Sequence, residues 1–115
     1  MSKSFSVQIK TTSDVMVLQL QGSLEVDLQG MLKDKIKEVS DKESDIVLDF
    51  SEVTFIDSSC LGALVSSVKS LREKKGDLKL SCLQEDVKSI FQITRLDKIF
   101  EIFESVGAAV ESYYK

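Results

Sequence analysis

Residues 45 to 50, Asp-Ile-Val-Leu-Asp-Phe, form a short apolar run between polar segments of the chain. A run of this length that is partly β-branched is typical of an interior parallel strand. Such a strand is covered on both faces, because the crossover connections between parallel strands pack helices against the sheet. The run therefore predicts an α/β domain in which this strand lies near the centre of the sheet.

Strand-like and helix-like patterns alternate along the rest of the chain. Residues 7–9 and 15–20 alternate around a polar turn, which predicts an opening β-hairpin. Apolar stripes at helical spacing follow, the first capped by Asp27, and the last strand is expected around residues 99–103. No proline marks a linker. We expect a single domain over residues 1–115, with a mixed β-sheet of about five strands and about four helices in the order ββαβαβαβα.

Charge and hydropathy limit what the domain binds. Its 15 Lys and Arg are interleaved with 19 Asp and Glu, giving a net charge of -4 and no basic stripe for nucleic acid. An acidic chain is not attracted to anionic lipid, and no apolar run is long enough to span a bilayer. Residues 1–5 lack the apolar core of a secretory signal. We therefore expect a cytoplasmic protein without direct nucleic-acid or membrane contact.

The residue types that most hydrolases and metalloenzymes require are missing. The chain has no histidine, which removes Ser-His and Cys-His catalytic pairs and the commonest metal ligand. Neither of the two common glycine-rich phosphate-binding motifs occurs, and two separated cysteines do not form a redox or zinc motif. We predict no catalytic residues, no metal and no cofactor, and hence a protein that is not an enzyme.

The step Asp57-Ser58-Ser59 lies between two apolar runs, where a helix that extends to about Lys74 is expected to begin. If Asp57 is the N-cap, Ile56 and Leu61 are placed to form a hydrophobic staple. Unpaired N–H groups and the positive dipole potential at a helix N-terminus would accommodate a phosphate on Ser58. The same three residues are common in ordinary helix caps, so the pattern alone favours a plain cap and leaves the phosphate site as the alternative.

Small side chains recur along the same helix at close to helical spacing and indicate a narrow face that permits close docking of a partner. An ordinary solvated face has the same pattern. Cys60 is interpreted as a structural residue, although a reactive thiol at a helix N-terminus is the alternative. The predicted partner-binding residues, with the cap residue included, are Asp57, Ser59, Ala63, Ser66, Ser67 and Ser70.

Two segments carry a family resemblance. Residues 49–59, Asp-Phe-Ser-Glu-Val-Thr-Phe-Ile-Asp-Ser-Ser, resemble the signature of anti-sigma-factor antagonists of the STAS family, and residues 20–25 resemble the segment before the first helix in that family. The resemblance implies a single STAS domain with Ser58 as the phosphorylation site. It also implies an anti-sigma factor with serine kinase activity as the partner and a PP2C-type phosphatase that resets the switch. Cys60 and Glu25 stand where the family usually has glycine and aspartate.

The sequence is also compared with the requirements of other functions. The same fold serves as a STAS subunit of stress-signalling or lipid-transport complexes that contain no sigma factor. A phosphoacceptor receiver domain requires an acidic pair, an aspartate at a strand end and a later lysine, and Asp49 alone does not supply them. A small nucleotide-binding enzyme would require convergent charged groups that the sequence does not indicate. The oligomeric state is not predicted.

Overall fold

The computed structural model describes residues 6–12, 14–25 and 28–114. The strands are β1 (Ser6–Thr12), β2 (Val15–Leu24), β3 (Asp45–Ile56), β4 (Asp77–Ser81) and β5 (Ile102–Phe103). The helices are α1 (Gln29–Ser40), α2 (Ser58–Glu73), α3 (Glu85–Ile93) and α4 (Val106–Ser112). A 3-10 turn, Leu96–Lys98, lies between α3 and β5.

The strands form one sheet in the order β1-β2-β3-β4-β5. Strands β2 to β5 are parallel to one another, and β1 pairs antiparallel with β2 at the edge. The predicted α/β class and the four helices are confirmed, and β3 is the central strand. The order differs slightly from the prediction, because the 3-10 turn intervenes and β5 is shorter than the apolar run that suggested it.

Helices cover both faces of the sheet. Ile46 and Leu48 of β3 point into a core cluster that is shared with α1, α2 and α3. Val47, between them, points to the opposite face, where it packs with Ala109 and Val110 of α4. All three β3 residues are fully buried, as expected for the parallel strand inferred from the sequence, since its side chains alternate between two covered faces.

The connection after α2 is tightly fitted against the start of β3. The N–H of Gly76 donates to the carbonyl oxygen of Leu71 at 2.8 Å, which closes the helix end. A Cβ at Gly76 would overlap the main chain of Ser44. Lys75, at φ 67°, adopts the left-handed conformation. The sequence therefore places glycine where two backbones approach closely, and this contact sets the position of the C-terminal end of α2.

The predicted cap of α1 by Asp27 and the N-terminal segment of residues 1–5 lie outside the described residues. Leu28 occupies the N-cap position of α1, and its side chain makes no capping hydrogen bond. No helix in the described part of the chain is long and apolar enough to cross a membrane.

Candidate functional site

Asp57 fixes the turn from β3 into α2. Its N–H donates to the carbonyl oxygen of Leu24 at 2.9 Å, which ties the turn to the end of β2. Its carboxylate oxygen Oδ1 accepts a hydrogen bond from the N–H of Cys60 at 3.0 Å and another from the Ser59 hydroxyl at 2.8 Å. The predicted N-cap is therefore confirmed. These contacts hold the first turn of α2 in one geometry.

The hydrophobic residues on either side of the cap have the predicted arrangement. Ile56 and Leu61 are both buried in the core cluster beneath α2. Asp57 lies between them in extended conformation, with φ -99° and ψ 177°. Because the apolar neighbours are anchored in the core, the polar step between them is held at the surface.

Ser58 is the first residue of α2, and it is exposed. Its hydroxyl forms no hydrogen bond with any residue that the structure describes, whereas the neighbouring Ser59 hydroxyl is engaged by Asp57. The first N–H groups of a helix have no partner within the helix. Ser58 thus combines an accessible hydroxyl with a local surplus of N–H donors, an arrangement that suits an added phosphate.

Cys60 lies beneath this turn and is completely buried. Burial, and after it the nearby carboxylate of Asp57, raises the pKa of its thiol to about 11. A helix N-terminus ordinarily lowers a thiol pKa, but here the loss of solvation and the adjacent negative charge outweigh that effect. The structural interpretation of Cys60 is therefore favoured over the reactive one.

The stripe of small residues on α2 is not one continuous exposed face. Ala63 belongs to the core cluster, and the side chain of Ser67 is also buried. Ser66 and Ser70 are exposed, and Ser59 is half-buried. The expectation that all five small residues share one surface is corrected, because α1 packs against this side of α2 and covers part of the stripe.

Two exposed residues close to Ser58 in the sequence were not among the predicted site residues. Gly62 lies one turn after Ser58 and one turn before Ser66, and a Cβ placed on it would meet no atom within 4 Å. Glycine in a helix costs about 1 kcal/mol relative to alanine, and the packing of this chain does not require it there. Phe55, near the end of β3, is 46% exposed. Because Gly62 follows Ser58 by one helical turn, this spacing in the sequence could have predicted that the two residues share a face of α2.

The described residues contain no cluster of three or more Cys, Asp or Glu side chains that could hold a metal ion. Cys60 and Cys82 are free thiols. The site therefore consists of the exposed Ser58 hydroxyl, on a turn held by the Asp57 cap, beside a helix face of small side chains. This arrangement suits recognition and modification by another protein.

The fold and this turn together define the class of the protein. Residues 6–109 match the family model of the STAS domain, and the chain belongs to the STAS domain family. A curated relative, the anti-sigma-B factor antagonist of Listeria monocytogenes, is 30% identical over 101 residues, which cover 86% of this chain and 89% of that protein.

Solved structures show the same fold. The crystal structure of an anti-sigma factor antagonist from Mycobacterium paratuberculosis superposes with a TM-score of 0.87 at 21% identity, covering 97% of this chain and 96% of that one. SpoIIAA, an anti-sigma factor antagonist, superposes at 20% identity with a TM-score of 0.80 in its unphosphorylated form. The phosphorylated form of the Bacillus protein gives 0.71 at the same identity. Each form covers 96% of this chain, and this chain covers 96% and 99% of them.

Proposed function

We propose that this chain is an anti-sigma-factor antagonist whose binding to an anti-sigma factor is switched off by phosphorylation of Ser58. The observation that carries the proposal is the exposed Ser58 hydroxyl at the first residue of α2, on a turn that Asp57 holds rigid. A kinase requires an accessible hydroxyl, and a preformed surface lowers the conformational entropy lost when a partner binds.

The proposed cycle assigns catalysis to the partners. The anti-sigma factor is also the serine kinase, and it transfers the γ-phosphoryl group of ATP to the Ser58 oxygen, releasing ADP and the hydroxyl proton. A PP2C-type phosphatase hydrolyses the phosphate ester and restores the bare serine. This chain supplies the modified hydroxyl and the docking surface, and it acts in the cytoplasm. The relatives named as anti-sigma factor antagonists and the phosphorylated form of SpoIIAA support this assignment.

The expected effect of the phosphate follows from charge rather than from refolding. Phosphorylation adds about -1.5 to -2 charges at neutral pH. In the free protein the N–H groups at the start of α2 and the solvent accommodate this charge. In a complex the phosphate would be desolvated against a face of neutral residues, Gly62 and Ser66, and close to the carboxylate of Asp57. Burying the unpaired charge is costly, so the complex dissociates.

The test is a pull-down with the full chain as bait from cells of the source organism, followed by intact-mass analysis of the recovered bait. Recovery of an anti-sigma factor with a kinase domain, together with a fraction of bait that is heavier by about 80 Da, supports the proposal. Recovery of a lipid-transport or other membrane complex without an anti-sigma factor would contradict it.

A further inference from the structure

A groove of about 580 Å³ lies between α1 and α2. Its volume falls within the range of small-molecule sites. Four serines contribute to its walls, and the buried side chains of Ile36 and Leu71 contribute apolar surface.

Ser67 is a polar residue in the wall of this groove whose side chain is almost completely buried. Its exposure is 8%, and it forms no hydrogen bond with any residue that the structure describes. No sealed side-chain oxygen in the described part of the chain is left without a partner. The Ser67 hydroxyl therefore opens into the groove that it lines. Water reaches this hydroxyl, so it is available to donate to a ligand that displaces the water.

Two lysines of α1 repel each other along the wall of the groove. Lys33 and Lys37 are one helical turn apart on the groove side, and within the described residues neither forms an ion pair. Like charges at this spacing destabilise a helix by a few tenths of a kcal/mol. Across the groove, the Nζ of Lys74 lies 3.3 Å from the Ser40 hydroxyl oxygen and 4.0 Å from a carboxylate oxygen of Asp41. A bound anion would relieve the repulsion between Lys33 and Lys37.

The charge of the lining differs in sign from that of the whole protein. The groove carries Lys33, Lys37 and Lys74 against Asp34 and Glu73, whereas the chain has a net charge of -4. Ammonium groups and serine hydroxyls are donors, and a phosphate offers three strong acceptor oxygens. The lining therefore matches a phosphate better than a cation or an apolar ligand.

We propose that the groove between α1 and α2 binds a small soluble phosphate monoester. Its phosphate lies between the ammonium groups of Lys33 and Lys37 and the hydroxyl of Ser67, and the rest of the molecule covers the apolar surface of Ile36 and Leu71. This site goes beyond the proposed function and needs no anti-sigma factor for its test.

The test is a titration of the ¹⁵N-labelled full chain followed by amide chemical shifts, with inorganic phosphate and glycerol 3-phosphate as probes at constant ionic strength set by chloride. Saturable shifts confined to the helical segments 33–40 and 66–74 are expected. Ser67→Ala and Lys37→Gln should each weaken glycerol 3-phosphate binding about tenfold, because each removes a donor to the phosphate. Lys69→Gln, an exposed position of α2 outside the groove lining, is the matched control and should bind as the unaltered chain does.

Circular dichroism of each variant separates loss of binding from loss of fold. Equal affinity of Lys37→Gln, Ser67→Ala and Lys69→Gln would overturn the proposal, as would shifts that do not saturate or that chloride alone reproduces. A third arm uses vesicles that contain phosphatidic acid. Co-sedimentation with these vesicles in the absence of glycerol 3-phosphate binding would assign the phosphate chemistry to a lipid headgroup and contradict a soluble ligand.

Discussion

The thiol of Cys60 lies 3.2 Å from the main-chain carbonyl oxygen of Glu25, so the two positions that depart from the usual antagonist pattern are in contact. The side chain of Glu25 is itself held by the Ser23 hydroxyl, which donates to it at 2.6 Å. Cys60 therefore joins the start of α2 to the segment that follows β2. A glycine at position 60 would offer no side chain for this contact, and the thiol fills the space in the core instead.

Alkylation of Cys60 is expected to be slow at neutral and mildly alkaline pH. With a pKa of about 11, only about one thiol in a thousand is ionised at pH 8, and the thiolate is the reactive form. Mass-mapped labelling with iodoacetamide should modify the half-exposed Cys82 first and reach Cys60 only after unfolding in urea. Cys60→Ser should leave partner binding unchanged. Rapid labelling of Cys60 in the folded protein at pH 7 would show that the thiol is reactive.

The same pKa shift makes stability depend on pH. The folded state keeps the Cys60 proton up to about pH 11, whereas an unfolded thiol ionises near pH 8.5. Between these values the unfolded state binds fewer protons, so this contribution to stability is present at neutral pH and decreases as the pH rises. Urea unfolding at pH 7 and pH 10 should show a smaller loss for Cys60→Ala than for the unaltered chain. An identical loss in both proteins would contradict the shift.

Two substitutions at Gly62 distinguish an effect on the free energy of unfolding from an effect on partner binding. Gly62→Ala should raise the free energy of unfolding by about 0.5 to 1 kcal/mol, because alanine is the better helix former and the added methyl group meets no atom. Gly62→Arg should leave the fold intact and abolish binding of the anti-sigma factor, because a long charged side chain would block close approach. Urea unfolding and calorimetry measure the two effects.

Gly107→Arg is the matched control, because Gly107 is an exposed glycine of α4 on the opposite side of the sheet. It should bind the anti-sigma factor with unchanged affinity. If Gly62→Arg binds as tightly as Gly107→Arg, the face that includes Gly62 is not the docking surface.

Most of the fold could be predicted from local sequence patterns. The residues that were wrongly expected on the surface are buried by helices that pack against them in the folded chain. The β3 run and the Asp57 cap could be predicted, because burial period and cap chemistry are local properties of the sequence. Ala63 was placed on a surface, since the position of α1 against α2 depends on tertiary packing. The alternation of Leu78 and Leu80 with Lys79 along β4 is typical of a strand whose lysine faces solvent, yet Lys79 is 7% exposed. The helix that covers it, α4, comes about thirty residues later, beyond the reach of a local pattern.

Lys79 is predicted to stabilise the packing of α4 through the methylene groups of its side chain as well as through its charge. Its Nζ donates to the Ser112 hydroxyl at 2.7 Å, pairs with the Glu101 carboxylate at 3.1 Å and lies 4.2 Å from the centre of the Tyr113 ring. Lys79→Ala should lower the free energy of unfolding by about 2 kcal/mol, because it removes the packed methylenes and the cation–π contact. Lys79→Met should cost less than about 1 kcal/mol, since an apolar chain of similar volume replaces the buried ion.

Urea unfolding of the two variants compares these effects. An equal loss in Lys79→Met and Lys79→Ala would assign the stabilisation to the charge alone. Because Lys79 lies on the side of the sheet away from α2, both variants should still bind the anti-sigma factor when folded.

Ser58 is the residue on which the proposed switch depends. Ser58→Ala should bind the anti-sigma factor constitutively and resist phosphorylation, because it removes the hydroxyl and leaves the Asp57 cap in place. Ser58→Asp should fold normally, since a carboxylate is favourable at a helix N-terminus, but it should bind at least about tenfold more weakly. Ser59→Ala is the matched control, because it removes the adjacent hydroxyl and should remain phosphorylatable.

Each variant is incubated with the recovered kinase and ATP, the phosphate is located by tandem mass spectrometry, and the affinities of bare and modified protein are compared by calorimetry. Phosphate on Ser59 in the unaltered chain, or equal affinity of the bare and Ser58-phosphorylated forms, would show that Ser58 is not the switch.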